Sequence, residues 1–209
     1  MSENTELEAP LIGVVRHRLE TDGDGVTTLV AFHGCSLHCK YCLNRQCLEP
    51  DGIVRTITPA ALVHEVGIDN LYFLATGGGI TFGGGEPLLR AHFIEEFCNL
   101  KEPLWKISVE TSLNVPWADV ERVIPFVDQY IVDIKDADPE IYRSYTGRDN
   151  RQALDNLERL VKQHGLADRI TVRLPLIPQY NSMDDVARSR KRLERLGITR
   201  FDEFEYIVK

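Results

Sequence analysis

Short, apolar, β-branched runs alternate with capped helical stretches along this chain, and that alternation limits its fold more than any other feature. The runs are Thr27–Phe32, Gly79–Phe82, Lys106–Val109, Gln129–Ile134, Ile170–Leu174 and Glu203–Val208. Runs this short and apolar suit strands buried on both faces. Thr58-Pro59 and Asp138-Pro139 each place a capping side chain before a proline at the first helical position. Ser182 and Asp185 have capping-box spacing, with Asp in place of the usual Glu. Pro87 is expected to open a helix running to about Leu100, and Gly165 and Gly197 fall at C-cap positions. Such alternation implies βαβ units on a parallel sheet. About six units fit, too few for the eight of a closed barrel. The expectation is an α/β fold, a partial (βα)6 TIM-like barrel with a mostly parallel sheet. No linker divides the chain, so residues 1–209 read as a single domain, with residues 1–21 as an N-terminal extension packing on the barrel.

In such architectures ligands gather at the carboxyl ends of the strands. The first run leads into His33-Gly34 and then Cys35-Ser36-Leu37-His38-Cys39-Lys40-Tyr41-Cys42. Three thiolates at C-x3-C-x2-C on one loop can converge on a metal centre. An iron–sulfur cube usually takes four thiolates, so three leave one iron with an open position. Zinc is an alternative on spacing alone, since His33, His38 or Cys47 could complete four ligands. The chain has five cysteines, an odd count with three of them inside eight positions, which argues against a disulfide framework.

Composition narrows the partners. The chain is 43% hydrophobic and 27% charged, as ordinary globular proteins are. A net charge of −8 lacks the basic footprint of a nucleic-acid binder. No apolar run approaches the roughly 18 residues of a membrane span. Met1 to Pro10 is polar and acidic rather than a signal peptide, so a cytoplasmic location is expected.

The other run ends carry glycines and charge. The stretch Thr76 to Pro87 is glycine-rich around Gly83, Gly84, Gly85 and Glu86, and backbone without Cβ atoms can approach a ligand closely. It lacks the Lys-Ser/Thr of a phosphate loop. Later runs end in Val109-Glu110-Thr111 and Val132-Asp133-Ile134-Lys135, and a fifth carries Arg173. Buried acids and a lysine there need partners or a ligand. Lys135 could neutralise a ligand carboxylate or bond a ribose, Glu110 and Asp133 could share a monovalent cation, and a structural ion pair is the alternative.

The cysteine spacing, with Tyr41 before the last cysteine, resembles the radical S-adenosylmethionine (SAM) superfamily. Further stretches resemble its glycyl-radical-enzyme activases, the group of pyruvate formate-lyase activating enzyme. These are Asp22-Gly23-Asp24-Gly25-Val26, Thr76 to Leu89, Ile131 to Glu140 with Tyr145-Thr146-Gly147, and Arg173 to Pro178 with Asn181. The resemblance implies a 4Fe–4S cluster on Cys35, Cys39 and Cys42. It implies SAM contacts from Tyr41, Leu43, Gly84, Gly85, Glu86, Asp133, Ile134, Lys135 and Arg173, and a monovalent cation at Glu110, Thr111 and Asp133. It implies reductive cleavage of SAM to a 5′-deoxyadenosyl radical that takes hydrogen from a backbone glycine of a partner glycyl radical enzyme. No catalytic residue is assigned beyond the cluster, and reduced flavodoxin or ferredoxin is the implied electron donor. Cys47 and Cys98 read as spare thiols. The histidine that activases place beside the nucleoside has no counterpart up to Lys209, and what replaces it is open.

Two other readings compete. Val109-Glu110-Thr111-Ser112 also resembles 7-carboxy-7-deazaguanine synthases, small-molecule radical enzymes, although the Tyr145-Thr146-Gly147 and Arg173 to Pro178 stretches do not favour them. The third reading is a non-catalytic metal-binding or electron-transfer module.

Overall fold

A computed structural model describes residues 7–19 and 21–207. The chain opens with β1 (Ala9–Leu19), β2 (Val26–Phe32) and β3 (Arg55–Ile57), followed by α1 (Pro59–Val66) and α2 (Asn70–Thr76). Strands and helices then alternate: β4 (Gly79–Gly84), α3 (Ala91–Leu100), β5 (Lys106–Thr111), α4 (Trp117–Val123) and β6 (Gln129–Asp133). The chain continues through α5 (Pro139–Thr146), α6 (Arg151–Lys162), β7 (Ile170–Leu176), α7 (Met183–Leu196) and β8 (Arg200–Glu205).

One sheet has the order β3-β1-β2-β4-β5-β6-β7-β8. The six strands from β2 to β8 in that order pair in parallel, each with the next. This is the expected partial barrel, left open at its edges. Residues 1–21 depart from expectation. Ala9–Leu19 does not lie over the barrel as an extension but enters the sheet as β1, antiparallel to both β2 and β3. Residues 1–6 of that segment lie outside the described residues. Strand β8 starts three residues earlier than expected and ends at Glu205, and Pro87 begins a 3-10 turn, Pro87–Arg90, ahead of α3 rather than the helix itself. Among the described residues no helix is long and apolar enough to cross a membrane.

The period of two along the strands sorts side chains between faces. Ile80, Phe82, Ile107, Val109, Tyr130, Val132 and Val172 enter the hydrophobic core beneath the helices. The intervening Thr81, Ser108, Glu110, Asp133 and Arg173 occupy the opposite, concave face. The β1–β2 connection fills part of that concavity: Thr81 Oγ1 donates to the Asp22 carbonyl, and Arg173 donates to the Thr21 carbonyl.

The helix starts are capped as their sequences dictate. Thr58 Oγ1 accepts from Ala61 N, Asp138 accepts from Glu140 N and Ile141 N, and Ser182 with Asp185 closes a reciprocal capping box. Gly197 ends α7 in the left-handed conformation at φ 112°, as a C-cap glycine does. The loop after β5 matters for the site, and it hangs on one side chain. Asn156 of α6 donates from Nδ2 to the carbonyls of Leu113 (2.9 Å) and Val115 (2.8 Å), both buried. Replacing Asn156 with Ala leaves both acceptors without a partner. Urea denaturation of Asn156→Ala is expected to show a loss of about 2–4 kcal/mol, and a loss below about 0.5 kcal/mol would contradict this role.

Candidate metal centre

The loop after β2 carries Cys35, Cys39 and Cys42, all half-buried free thiols. It has little regular structure of its own, so its shape comes from neighbours. The end of α5 supports one side: His38 N–H donates to the Thr146 carbonyl (2.9 Å) and Lys40 N–H to the Tyr145 carbonyl (3.1 Å). Helix ends leave carbonyls unpaired, and here the cysteine loop uses them. Gly147 ends α5 with φ 74°, so Tyr145-Thr146-Gly147 works as a docking edge for the loop. The Arg148 side chain adds a bond to the Ser36 carbonyl at 3.2 Å.

The turn after β4 supports the other side. Gly85 N–H donates to the Phe32 carbonyl (2.9 Å) and Glu86 N–H to the Gly34 carbonyl (2.8 Å). A Cβ on Gly85 would collide with the Gly34 carbonyl, and one on Gly84, at φ 91°, would collide with Ala31. The sequence suggested that these glycines admit a ligand. Their missing side chains instead admit neighbouring backbone, although both residues also line the cavity beside the cysteines.

That cavity gathers most of the expected residues: the three cysteines, Tyr41, Leu43, Gly84, Gly85, Glu86, Glu110, Thr111, Asp133, Lys135 and Arg173. Leu43 is 88% exposed and stands at the mouth. Ile134 is the exception. Its side chain is fully buried in the core, because it alternates with Asp133 and Lys135, which face the cavity.

Glu86 is 1% exposed, and its carboxylate accepts four hydrogen bonds. The donors are Thr111 Oγ1 (2.6 Å), Ser112 Oγ (2.6 Å), Ser112 N (2.9 Å) and Leu88 N (3.2 Å). A carboxylate has about four acceptor positions, so protein donors fill them. Burial raises the Glu86 pKa, opposed by Ser112 and Thr111. Glu86 thus fixes the loop after β5 against the turn after β4, with no acceptor left for a ligand.

Lys135 is 8% exposed. Its Nζ lies 3.2 Å from Asp133 Oδ2 and donates to Tyr206 Oη at 2.9 Å. Burial opposes its charge, but Asp133, Tyr206 and Cys39 outweigh burial and hold its pKa above the ordinary value. Glu110 pairs with Arg173, whose Nε also lies 3.4 Å from Asp202. The residues expected to share a cation are therefore each engaged otherwise: Glu110 with arginine, Asp133 with lysine, and Thr111 as a donor to Glu86. In this structure these groups are held by ion pairs. Among the described residues, the group of acids and histidine with mutually close ligand atoms is His92, Glu95 and Glu96, of α3, where His92 is exposed and both glutamates are half-buried.

The thiols differ in acidity. Contact with Cys47 holds Cys35 below the ordinary thiol range and takes Cys42 down to about 6. Burial pushes Cys39 up to about 12, with Lys135 opposing. Cys47 is 1% exposed and is the protonated member of its contacts with Cys35 and Cys42. It is therefore not the bystander expected, whereas Cys98 is distant and burial raises it to about 12. The sulfurs of Cys35, Cys39 and Cys42 do not all lie within 4.8 Å of one another. A tetrahedral zinc at about 2.3 Å from each would draw them to about 3.8 Å apart. Three thiolates on one loop suit a cube that takes one at each of three corners.

Sequence reasoning missed several wall residues: Asn44, Ser112, Tyr145, Phe204 and Tyr206. Tyr206 lies just past the end of β8, and the late placement of that strand hid it from a search of strand ends.

A family model described as the Radical SAM superfamily matches residues 29–192. The chain is 34% identical over 148 residues to the (2S)-3-sulfopropanediol dehydratase activating enzyme of Klebsiella oxytoca, covering 68% of this chain and 46% of that protein. It is 30% identical over 203 residues to the pyruvate formate-lyase 2-activating enzyme of Escherichia coli K12, covering 82% and 68%. The chain thus spans about half the length of the first relative. Among solved structures, Streptococcus suis SuiB bound to S-adenosylmethionine superposes with a TM-score of 0.61 at 15% identity, over 87% of this chain and 42% of SuiB. Native anSMEcpe with bound AdoMet gives 0.57 at 19% identity, over 82% and 49%. At these identities the likeness shows the fold.

Thiolates, not thiols, react with alkylating agents. In cluster-free protein, iodoacetamide is expected to label Cys42 with a midpoint near pH 6 and Cys39 only under strongly alkaline conditions near pH 12, read by peptide mass spectrometry. Equal labelling of Cys39 and Cys42 at pH 7 would contradict the assigned environments.

Proposed function

The chain belongs to the radical SAM superfamily, among the relatives of glycyl-radical-enzyme activating enzymes, and from that premise we propose that it installs a glycyl radical on a partner enzyme. One observation carries the reading. Three half-buried thiols on one loop open onto the same cavity as a fixed ammonium, a fixed guanidinium and the backbone of Gly84 and Gly85.

Cys35, Cys39 and Cys42 would hold a 4Fe–4S cluster. The chemistry such a cluster would supply when bound is one-electron reductive cleavage of SAM. Lys135, kept charged by Asp133 and oriented by Tyr206, offers a cation to the SAM carboxylate or a donor to its ribose. The Arg173–Glu110 pair stiffens the wall between β5 and β7. Glu86 acts as a positioning residue: it holds Ser112 and Thr111 and thereby the cavity's floor. Abstraction of hydrogen from a glycine Cα transfers an atom rather than a proton, so it requires no general base, and none of the cavity acids is assigned that role. Reduced flavodoxin or ferredoxin is the proposed donor.

Reconstituted protein, reductant, SAM and a co-encoded glycyl radical enzyme, mixed without oxygen, are expected to give a glycyl doublet by electron paramagnetic resonance. Release of 5′-deoxyadenosine without a doublet on any such partner would contradict the activase reading while leaving SAM cleavage intact.

A further inference from the structure

The chain has seven tyrosines, and four of them pack ring to ring beside the cysteine loop. Tyr145 is at their centre, with ring centroids 5.2 Å from Tyr180, 6.0 Å from Tyr41 and 6.2 Å from Tyr206. Its side chain is fully buried, and among the described residues its phenol O–H has no acceptor. Burying an O–H without a partner is costly, and such groups are rare enough in native proteins to require a reason.

Placement supplies the reason. Burial is the main influence on the Tyr145 phenol, and the next are Tyr206, Cys39 and Lys135, followed by the Tyr41 backbone N–H, which approaches the phenol oxygen and leaves its O–H without an acceptor. All of these residues line the cavity together with Tyr145. Lys135 already has Asp133 and Tyr206, and Glu86 has four donors. Among the described residues of the wall, Tyr145 is the one whose buried polar side-chain atom lacks a partner.

We propose that Tyr145 binds the nucleoside of SAM, its phenol O–H donating to a polar atom of the adenosine while its ring and that of Tyr206 form the wall against which the nucleoside packs. Chemistry separates the two ends of the ligand. The methionine end carries an ammonium and a carboxylate and suits Lys135, Arg173 and the open iron. A neutral phenol in an aromatic wall suits the neutral acceptors and flat ring of adenosine. Tyr206 contributes twice, as a ring of that wall and as the acceptor that orients Lys135. This inference rests on SAM occupying the cavity, as in the function proposed above.

The test uses cluster-loaded protein under anaerobic conditions without reductant, and reads SAM affinity and thermal unfolding rather than turnover. Tyr130 is the control. Its hydroxyl is the other buried phenol without a partner, and it lies in the core outside the cavity. Removing either hydroxyl removes an unsatisfied group, so Tyr145→Phe and Tyr130→Phe should each raise the Tm without SAM by about 2–4 °C. Tyr145→Phe alone should weaken SAM binding, by about tenfold, and shrink the Tm rise that SAM produces. Wild-type SAM affinity in Tyr145→Phe would overturn the proposal. Failure of the wild-type protein to bind SAM would overturn the cavity assignment beneath it.

Discussion

The loop after β2 and the turn after β4 cross at backbone distance, and the site takes its shape from that crossing. Gly85 reaches the Phe32 carbonyl and Glu86 reaches the Gly34 carbonyl because no side chain on Gly85 keeps the two strands' ends apart. A loop carrying three thiols and little regular structure would otherwise pay its ordering entropy alone. Here its first residues are pinned to β4 and its middle to the end of α5. The backbone that carries the thiols is therefore held on two sides.

Charge is arranged around the same crossing. The ends of β5, β6 and β7 bring Glu110, Asp133, Lys135 and Arg173 onto one concave face, where isolated charges would be expensive. Each has a partner across the sheet or along it. Glu86, the most buried acid of the site, is satisfied by Thr111 at the end of β5, by Ser112 just after it and by Leu88 N of its own turn. These groups hold the wall rigid and keep Lys135 charged. The phenol of Tyr145 is left as the polar group that a bound nucleoside would complete.

Much of this was legible in the sequence, for physical reasons. Strands buried on both faces must be short and apolar, so the six parallel strands stood out. Prolines after capping residues marked α1 and α5, and the cysteine spacing marked the loop. Strand β1 was not legible, because Pro10, Gly13 and the run Arg16-His17-Arg18 interrupt any apolar pattern, and its half-exposed face requires none. Strand β3 has three residues, two of them exposed. The ion pairs were not legible because acids at adjacent strand ends look alike whether they face a metal or an arginine, and the register that sets Asp133 beside Arg173 and Glu110 near it exists only in the folded sheet. Tyr206 was hidden by a boundary error of three residues, and Cys47 by the 3-10 turn Arg45–Leu48, which brings its carbonyl back to Gly34 N–H.

The proposed function requires Cys35, Cys39 and Cys42 to hold a 4Fe–4S cluster beside which SAM binds in this cavity. Electron paramagnetic resonance of the anaerobically reconstituted, reduced protein tests it most directly, recorded before and after adding SAM. The account predicts a reduced-cube signal whose g-values shift on SAM addition, and loss of that signal when any one of Cys35, Cys39 or Cys42 is replaced by Ala. A protein that holds zinc instead of iron and sulfide, or a cube whose spectrum SAM leaves unchanged, would contradict it.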